Sequence, residues 1–223
     1  QVLSLSASDK EGNLKNIIII GIGDEAKIQE YQLEELGGKI YTHAKAAKAM
    51  SVGFSANVRI GEFTDNKLAA IIASGGLLAA YNFDKYRTTQ TAVEKFVTED
   101  FNIIVADEEA AYSAFEEYKA IAMAVYFARD LVSEVPNILY PESYAEQIVN
   151  KLEPIGVDIE VIGEREMRDL GMGAMLGVGQ GSVNESKLVV MKYNGAEKDQ
   201  KPVCFVGKGV TFDTGGISIK PSS

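Results

Sequence analysis

The sequence predicts an α/β protein built from two segments joined by a long helix. Three features carry that expectation. A β-branched run closed by glycine, Asn16 to Gly21 (NIIIIG), reads as a buried strand covered on both faces. Short apolar runs alternate with segments of helical period along the chain, the pattern of a layered α/β fold. One helical segment, Glu108 to Val132, is the clearest in the chain and is followed by the chain-breaking Pro136 and Pro141.

Taken in order, Ala26 to Ala49 reads as a helix interrupted near Gly37 and Gly38, and Val52 to Ile60 alternates as a strand. Asn66 to Ala80 is helical again, with Gly75 and Gly76 permitting close packing, and Asn102 to Val105 is a short buried strand. In the long helix, Ala111, Phe115, Tyr118, Ala122, Val125, Arg129 and Val132 follow the four-and-three spacing of one face. Asp107, Glu108 and Glu109 suit its positive N-terminal end. From Ile121 to Phe127 it is apolar almost all round, so it is expected to lie buried between two bodies. Beyond the prolines, Ser143 to Leu152 reads as a helix with Tyr144, Ile148 and Leu152 on one face. Val157 to Ile162, Lys187 to Tyr193 and Pro202 to Val206 read as strands. Domain limits are placed at 1–106 for the first α/β domain, 107–133 for the linker helix and 134–223 for the start of a second domain.

Composition excludes several functions. The formal net charge is −10, and the acid excess is spread as −6 before Ser133 and −4 after it. No basic tract is present to neutralise phosphates, so nucleic acid is not an expected partner. A single cysteine, Cys204, rules out an internal disulfide framework and suits a reducing compartment; it is expected to be a small buried strand residue. The longest apolar runs are too short to span a bilayer, and no membrane partner is expected. Gln1 is not a natural start, so sequence is expected before it. The one histidine, His43, lies in a helical stretch with no nucleophile motif near it, which leaves Ser-His-Asp chemistry and a histidine-rich zinc site without residues.

The chemistry concentrates in Val206 to Pro221, VGKGVTFDTGGISIKP. It follows an expected strand end, where open α/β sheets place their ligands. Lys208, Asp213 and Lys220 stand alone in an apolar, glycine-rich context, and buried charges of that kind need a metal, a substrate or each other. From the residues alone, three readings stand side by side. One is a Lys208–Asp213 ion pair in a structural turn. A phosphate cradle fails on spacing, because no glycine occupies position 202. An aspartic protease site needs two aspartates, and Phe212-Asp213-Thr214-Gly215 occurs once.

Two other glycine patterns are decoys. Gly21-Ile22-Gly23-Asp24-Glu25-Ala26 approaches a dinucleotide fingerprint, but its two acids would repel a pyrophosphate, so it reads as a strand-to-helix turn. Gly171, Gly173, Gly177, Gly179 and Gly181 lack the following lysine and threonine of a phosphate loop and are expected to form tight turns against a sheet.

VGKGVTFDTGGISIKP resembles the signature of the M17 leucyl aminopeptidases. Two further blocks resemble the same family: Ala128 to Asn137 (ARDLVSEVPN), with Pro141 and Ala145 after it, and Leu170 to Tyr193 (LGMGAMLGVGQGSVNESKLVVMKY). The resemblance spans about 127–223, with weaker agreement before it. It departs at Ser133 and Val135, where the family usually has Asn and Pro. It departs again at Tyr140, where a hydroxyl residue commonly precedes the proline and caps the next helix. The resemblance implies a macro-domain-like N-terminal α/β domain, a long linker helix and the beginning of an α/β zinc-exopeptidase-type catalytic domain. It also implies a cytoplasmic homohexamer that removes N-terminal, preferably leucine-like, residues from peptides using two divalent metal ions, zinc or manganese. Lys208 would give a neutral amine to one metal, Asp213 one oxygen to each, and a protonated Lys220 would stabilise the oxyanion. The family's other carboxylate ligands and its arginine are expected beyond Ser223, so these 223 residues alone are expected to be inactive. The alternative is a non-catalytic accessory or assembly module, or an inactive fragment of such an enzyme.

Overall fold

Side chains three and four apart share a helix face, whereas consecutive residues point about 100° apart. Two adjacent glycines therefore open a helix toward two different neighbours. The computed structural model uses both openings. It describes residues 2–8, 10–12, 14–56, 59–91, 94–95, 97–196 and 200–212. Helix α1 (Glu30–Ala46) and helix α2 (Asp65–Ala80) meet at glycines. A Cβ on Gly75 would strike the Glu34 backbone carbonyl, and one on Gly37 would strike the Ile72 carbonyl oxygen. A Cβ on Gly76 would come within 2.8 Å of the Phe101 ring, on the sheet side of α2. The expected break in α1 at Gly37-Gly38 is absent: the helix runs through, because the glycines are needed for approach and not for a turn.

Around this crossing lies the core of the first unit, Gln1–Asp130. Leu33, Leu36 and Ile40 from α1 meet Leu68, Ile71 and Ile72 from α2, all buried. Ser74 is buried among them, and its hydroxyl meets Glu34 Oε1 at 3.3 Å, so its polarity is satisfied. Thr64 precedes α2 and its side-chain oxygen accepts from the Lys67 N–H. Strands β3 (Ser51–Ser55) and β4 (Asp100–Ile104) pair in parallel, with Ser51 opposite Asp100, and α2 lies between them in sequence. Val52, Phe54, Phe101 and Ile103 alternate inward onto the core.

The first strand departs from expectation. Asn16 to Ile20 belongs to β2 (Leu14–Ile20), which pairs antiparallel with β1 (Val2–Ser8), a strand that periodicity does not identify. The ribbon is half open: Ile17 and Ile19 are exposed, and Ile20 alone of the run packs on the core. The run is continuous because isoleucine suits strands on either face, not because both faces are covered. The Gly21-to-Ala26 decoy is a connection into a short 3-10 turn at Glu25–Lys27, with Gly23 at φ +87. Asp24 accepts from the Ala26 N–H and Glu25 from the Gly61 N–H, so both carboxylates already serve backbone donors.

Helix α3 (Glu108–Ser133) starts where Asp107 accepts from the Ala110 N–H. Its predicted face is correct in part: Ala111 and Ala122 are buried and Tyr118 packs against the core, but Val132 is exposed. The first unit by itself does not bury Ile121 to Phe127 all round, since Ile121 and Met123 are exposed there. The covered face instead carries polar work. Tyr126 and Arg129 donate to the carbonyls of Leu77 and Leu78, Arg129 at 2.9 Å. Those carbonyls belong to the last turn of α2, which has no intrahelical donors left. Arg129 also sits 5.3 Å over the Tyr81 ring. At the other end, Tyr118 donates to Glu30 at 2.6 Å and Lys67 pairs with Glu30 at 3.2 Å, joining α1, α2 and α3. The Tyr118 hydroxyl holds the Glu30 carboxyl below its usual 4.5, while burial and the Glu30 carboxylate push the phenol up.

The second unit, Leu131–Ser223, contains α4 (Pro141–Leu152), β5 (Asp158–Ile162), α5 (Glu164–Asp169), α6 (Gly173–Gly179) and β6 (Leu188–Lys192). β5 and β6 pair antiparallel, with Asp158 opposite Lys192. Leu139, Ala145, Ile148, Ile162 and Met167 are its buried side chains. The glycines expected as tight turns mostly form α6, and only Gly171, at φ +73, is a left-handed turn residue. Gly179 ends that helix against the Ser186 hydroxyl, where a Cβ would collide. Among the described residues no helix is long and apolar enough to cross a membrane.

Substitutions in the first unit test these contacts. Gly75→Ala forces a methyl into the Glu34 backbone and is expected to cost about 3 kcal/mol in urea unfolding. Gly53→Ala, with nothing within 4 Å, is expected to change stability by less than about 0.5 kcal/mol; equal effects would refute the glycine contact. Because Glu30 is lowered, its contribution is complete above 4.5 and is lost as pH falls through its folded value. Glu30→Gln is therefore expected to cost about 0.5 kcal/mol at neutral pH, given its exposure to solvent, and nothing once the carboxyl is protonated.

Candidate functional site

A metal-binding lysine needs an amine that no carboxylate has claimed. Among the described residues Lys208 meets that condition. It is exposed, and no carboxylate among the described residues forms an ion pair with it. Asp213 and Lys220 lie outside the described residues. Among the described residues there is no group of three or more His, Cys, Asp or Glu side chains able to hold a metal ion. Of the three residues expected at the site, Lys208 alone lies among the described residues.

The local backbone is not the buried strand the sequence suggested. Residues 201–210 have no regular secondary structure. Val203, Phe205 and Val206 are each more than 80% exposed, and Cys204 is exposed as well, not buried. A strand exists by pairing, and no described residue forms a ladder with this run. Its β-branched and aromatic composition signals strand propensity without specifying a partner.

Support for Lys208 comes from α4. Gly209 passes so close to Tyr144 that a Cβ would lie 2.8 Å from its Cε1 atom. Glycine at 209 thus leaves room for a tyrosine ring as well as for approach to the amine. The start of α4 is held firmly despite the unusual Tyr140. The Ser143 hydroxyl accepts from the Tyr140 N–H at 3.0 Å and donates to the Ile138 carbonyl at 2.7 Å. Sequence reasoning assigned Tyr144 to a packing face and gave Ser143 no role; the S-Y pair one turn into a proline-started helix was the available signal. A separate hollow of about 360 Å³ is lined by Glu164, Arg168, Leu176, Gln180 and Ser182 among others, and Lys208 does not line it. Glu164 pairs there with Arg168 at 3.1 Å and accepts from the Ser186 N–H, which ties the start of α5 to the connection between α6 and β6. His43 lies half-buried in α1, and its carbonyl accepts from the Ala47 N–H.

Comparison with known proteins decides the family. The model of the cytosol aminopeptidase family N-terminal domain matches residues 1–90, and that of the same family's catalytic domain matches 126–223. The chain belongs to the cytosol aminopeptidase family, M17. It is 52% identical over all 223 residues to a probable cytosol aminopeptidase of Rickettsia rickettsii (strain Sheila Smith), and 51% identical to one of Rickettsia typhi (strain ATCC VR-144 / Wilmington). In both cases the chain spans 45% of the relative's length. Among solved structures, the bottromycin maturation enzyme BotP in complex with Mn aligns over 99% of the chain and 45% of its own, at 25% identity and a TM-score of 0.74. The family's mixed α/β architecture is thereby established for this chain.

Ser143→Ala removes both hydrogen bonds at the α4 start. It is expected to lower the stability of the second unit by about 1 kcal/mol, read from its denaturant midpoint. An unchanged midpoint would show that Pro141 alone starts the helix.

Proposed function

We propose that this chain forms the N-terminal domain and the opening of the catalytic domain of a metal-dependent aminopeptidase that releases N-terminal, leucine-like residues from peptides. The observation that carries this reading is the match of both family domains, in order, ending on the segment that holds Lys208, Asp213 and Lys220. A solved relative described in complex with Mn supports divalent metal use. Lys208 and Asp213 are the residues that would hold two divalent ions, zinc or manganese, Lys208 through a neutral amine and Asp213 through its two oxygens. When bound, the ions supply an activated water and polarise the scissile carbonyl. Lys220 keeps its proton and offers a cation to the oxygen that becomes negative in the tetrahedral intermediate. The same residue type thus serves in two protonation states, separated by what each amine faces. The family's other ligands complete the donor set in the longer relatives. Assembly as a homohexamer and a place in the cytoplasm belong to the same proposal, as does the division of the chain at 106 and 133.

In a polypeptide carrying the whole catalytic domain, hydrolysis of leucine p-nitroanilide is expected to require added Mn²⁺ or Zn²⁺ and to stop with chelator. Lys208→Met is expected to abolish metal-dependent turnover, and Lys220→Ala to lower kcat by roughly a hundredfold or more. The 223 residues alone are expected to be inactive. Hydrolysis indifferent to chelator, with an acid optimum, would replace this reading with an aspartic-protease one.

A further inference from the structure

We infer that Tyr144 is a positioning residue for the Lys208 amine. The inference rests on the reading of Lys208 as a metal ligand, and it deepens that reading by naming what holds the ligand in place. A lysine side chain has four rotatable methylenes, so the fold controls its amine chiefly through the backbone beneath it. Around Lys208 the usual control is missing, because residues 201–210 belong to no helix or strand. The backbone is instead seated on a ring. Gly209 lies against Tyr144, with the built Cβ position 2.8 Å from Cε1, 3.5 Å from Cδ1 and 3.7 Å from Cζ. The contact is therefore with one edge of the ring and with the backbone next to Lys208, not with its amine.

The platform itself is rigid. Tyr144 stands in the first turn of α4, its N–H donating to the Tyr140 carbonyl at 2.9 Å. Its neighbour Ser143 ties the chain before the helix to the helix start through Tyr140 and Ile138. The next residue, Ala145, is buried. A half-buried aromatic ring on a pinned helix turn has few alternative rotamers, so it transfers the helix's rigidity to the turn lying on it. Glycine at 209 is what lets the two surfaces touch. Groups that orient a metal ligand from behind are worth a substantial factor in metal affinity, and a ring that seats the backbone beside Lys208 is such a group.

Two readouts test this, one of which needs no metal. In nitrogen-15 relaxation on the purified protein, the 208–210 amides are expected to be ordered, and Tyr144→Ala is expected to make them mobile and to move the Gly209 resonance as the ring current is lost. Tyr144→Phe, which keeps the ring, is expected to restore both. Gly209→Ala, which leaves α4 untouched, is expected to give the same loss of order if Tyr144→Ala proves too unstable to study. In the metal-competent polypeptide, Tyr144→Ala is expected to weaken Mn²⁺ binding by about tenfold in calorimetry, and Tyr144→Phe to leave it unchanged. Unchanged order at 208–210 in both Tyr144→Ala and Gly209→Ala would overturn the inference. If Lys208→Met left Mn²⁺ affinity intact, the metal-ligand reading would fail, whereas the relaxation result would still decide whether the ring seats the turn.

Discussion

The first unit depends on one close approach, that of α1 to α2 through glycine. A helix pair with side chains at the crossing stands about 8–10 Å apart. Here the carbonyls of Glu34 and Ile72 occupy space that a Cβ on Gly75 or Gly37 would need, so the axes are drawn in until backbone meets backbone. Everything else in the unit is scaled to that separation. Leu33 and Leu36 reach Leu68, Ile71 and Ile72 only because the helices are near. Ser74 reaches the Glu34 carboxylate, and Glu30 can be shared by Lys67 from α2 and Tyr118 from α3. The second glycine of α2, Gly76, sets the distance to Phe101 and hence to the parallel strand pair. One dipeptide thus determines two interfaces.

Helix α3 then ties to this pair at two places along its length. Three turns in, Tyr118 meets the positive N-terminal end of α1 through Glu30, which is where a carboxylate is most favourable. Toward its end Tyr126 and Arg129 satisfy the bare carbonyls of α2, with a cation placed at the negative pole. The first contact uses a side-chain carboxylate and the second the backbone carbonyls that α2 leaves without partners, so hydrogen bonding contributes to the seat of α3 beside the packing of Ala111 and Tyr118.

Much of this fold is legible in the residues. Periodicity locates α2, α3 and α4 and strands β3 to β6, and the Gly75-Gly76 pair signals close packing by composition alone. The failures have physical causes. A run such as NIIIIG states strand propensity, but whether one or both faces are covered depends on what the rest of the chain lays over it. Gly37-Gly38 resembles a breaker in one dimension and is a contact in three. Val203 to Val206 has a strand's composition, yet strand formation is a property of a pair. At the site, Lys208 stands out by its glycine-flanked isolation, and the family by the segment around it. Tyr144 does not stand out, because an aromatic on a helix face is ordinarily core, and its contact with a turn far along the chain leaves no local pattern.

The exposed run from Val203 to Val206 also bears on how these 223 residues behave as a colloid. Among the described residues this exposed apolar run joins no ladder, and a run of strand-forming composition without a partner is a template for another copy of itself. What opposes such pairing is long-range repulsion from a net charge of −10. Attraction at contact and repulsion at a distance respond differently to salt, since ions shorten only the second. Ionic strength would thus tune the chain between dispersed molecules and sheet-like association without altering a single fold contact.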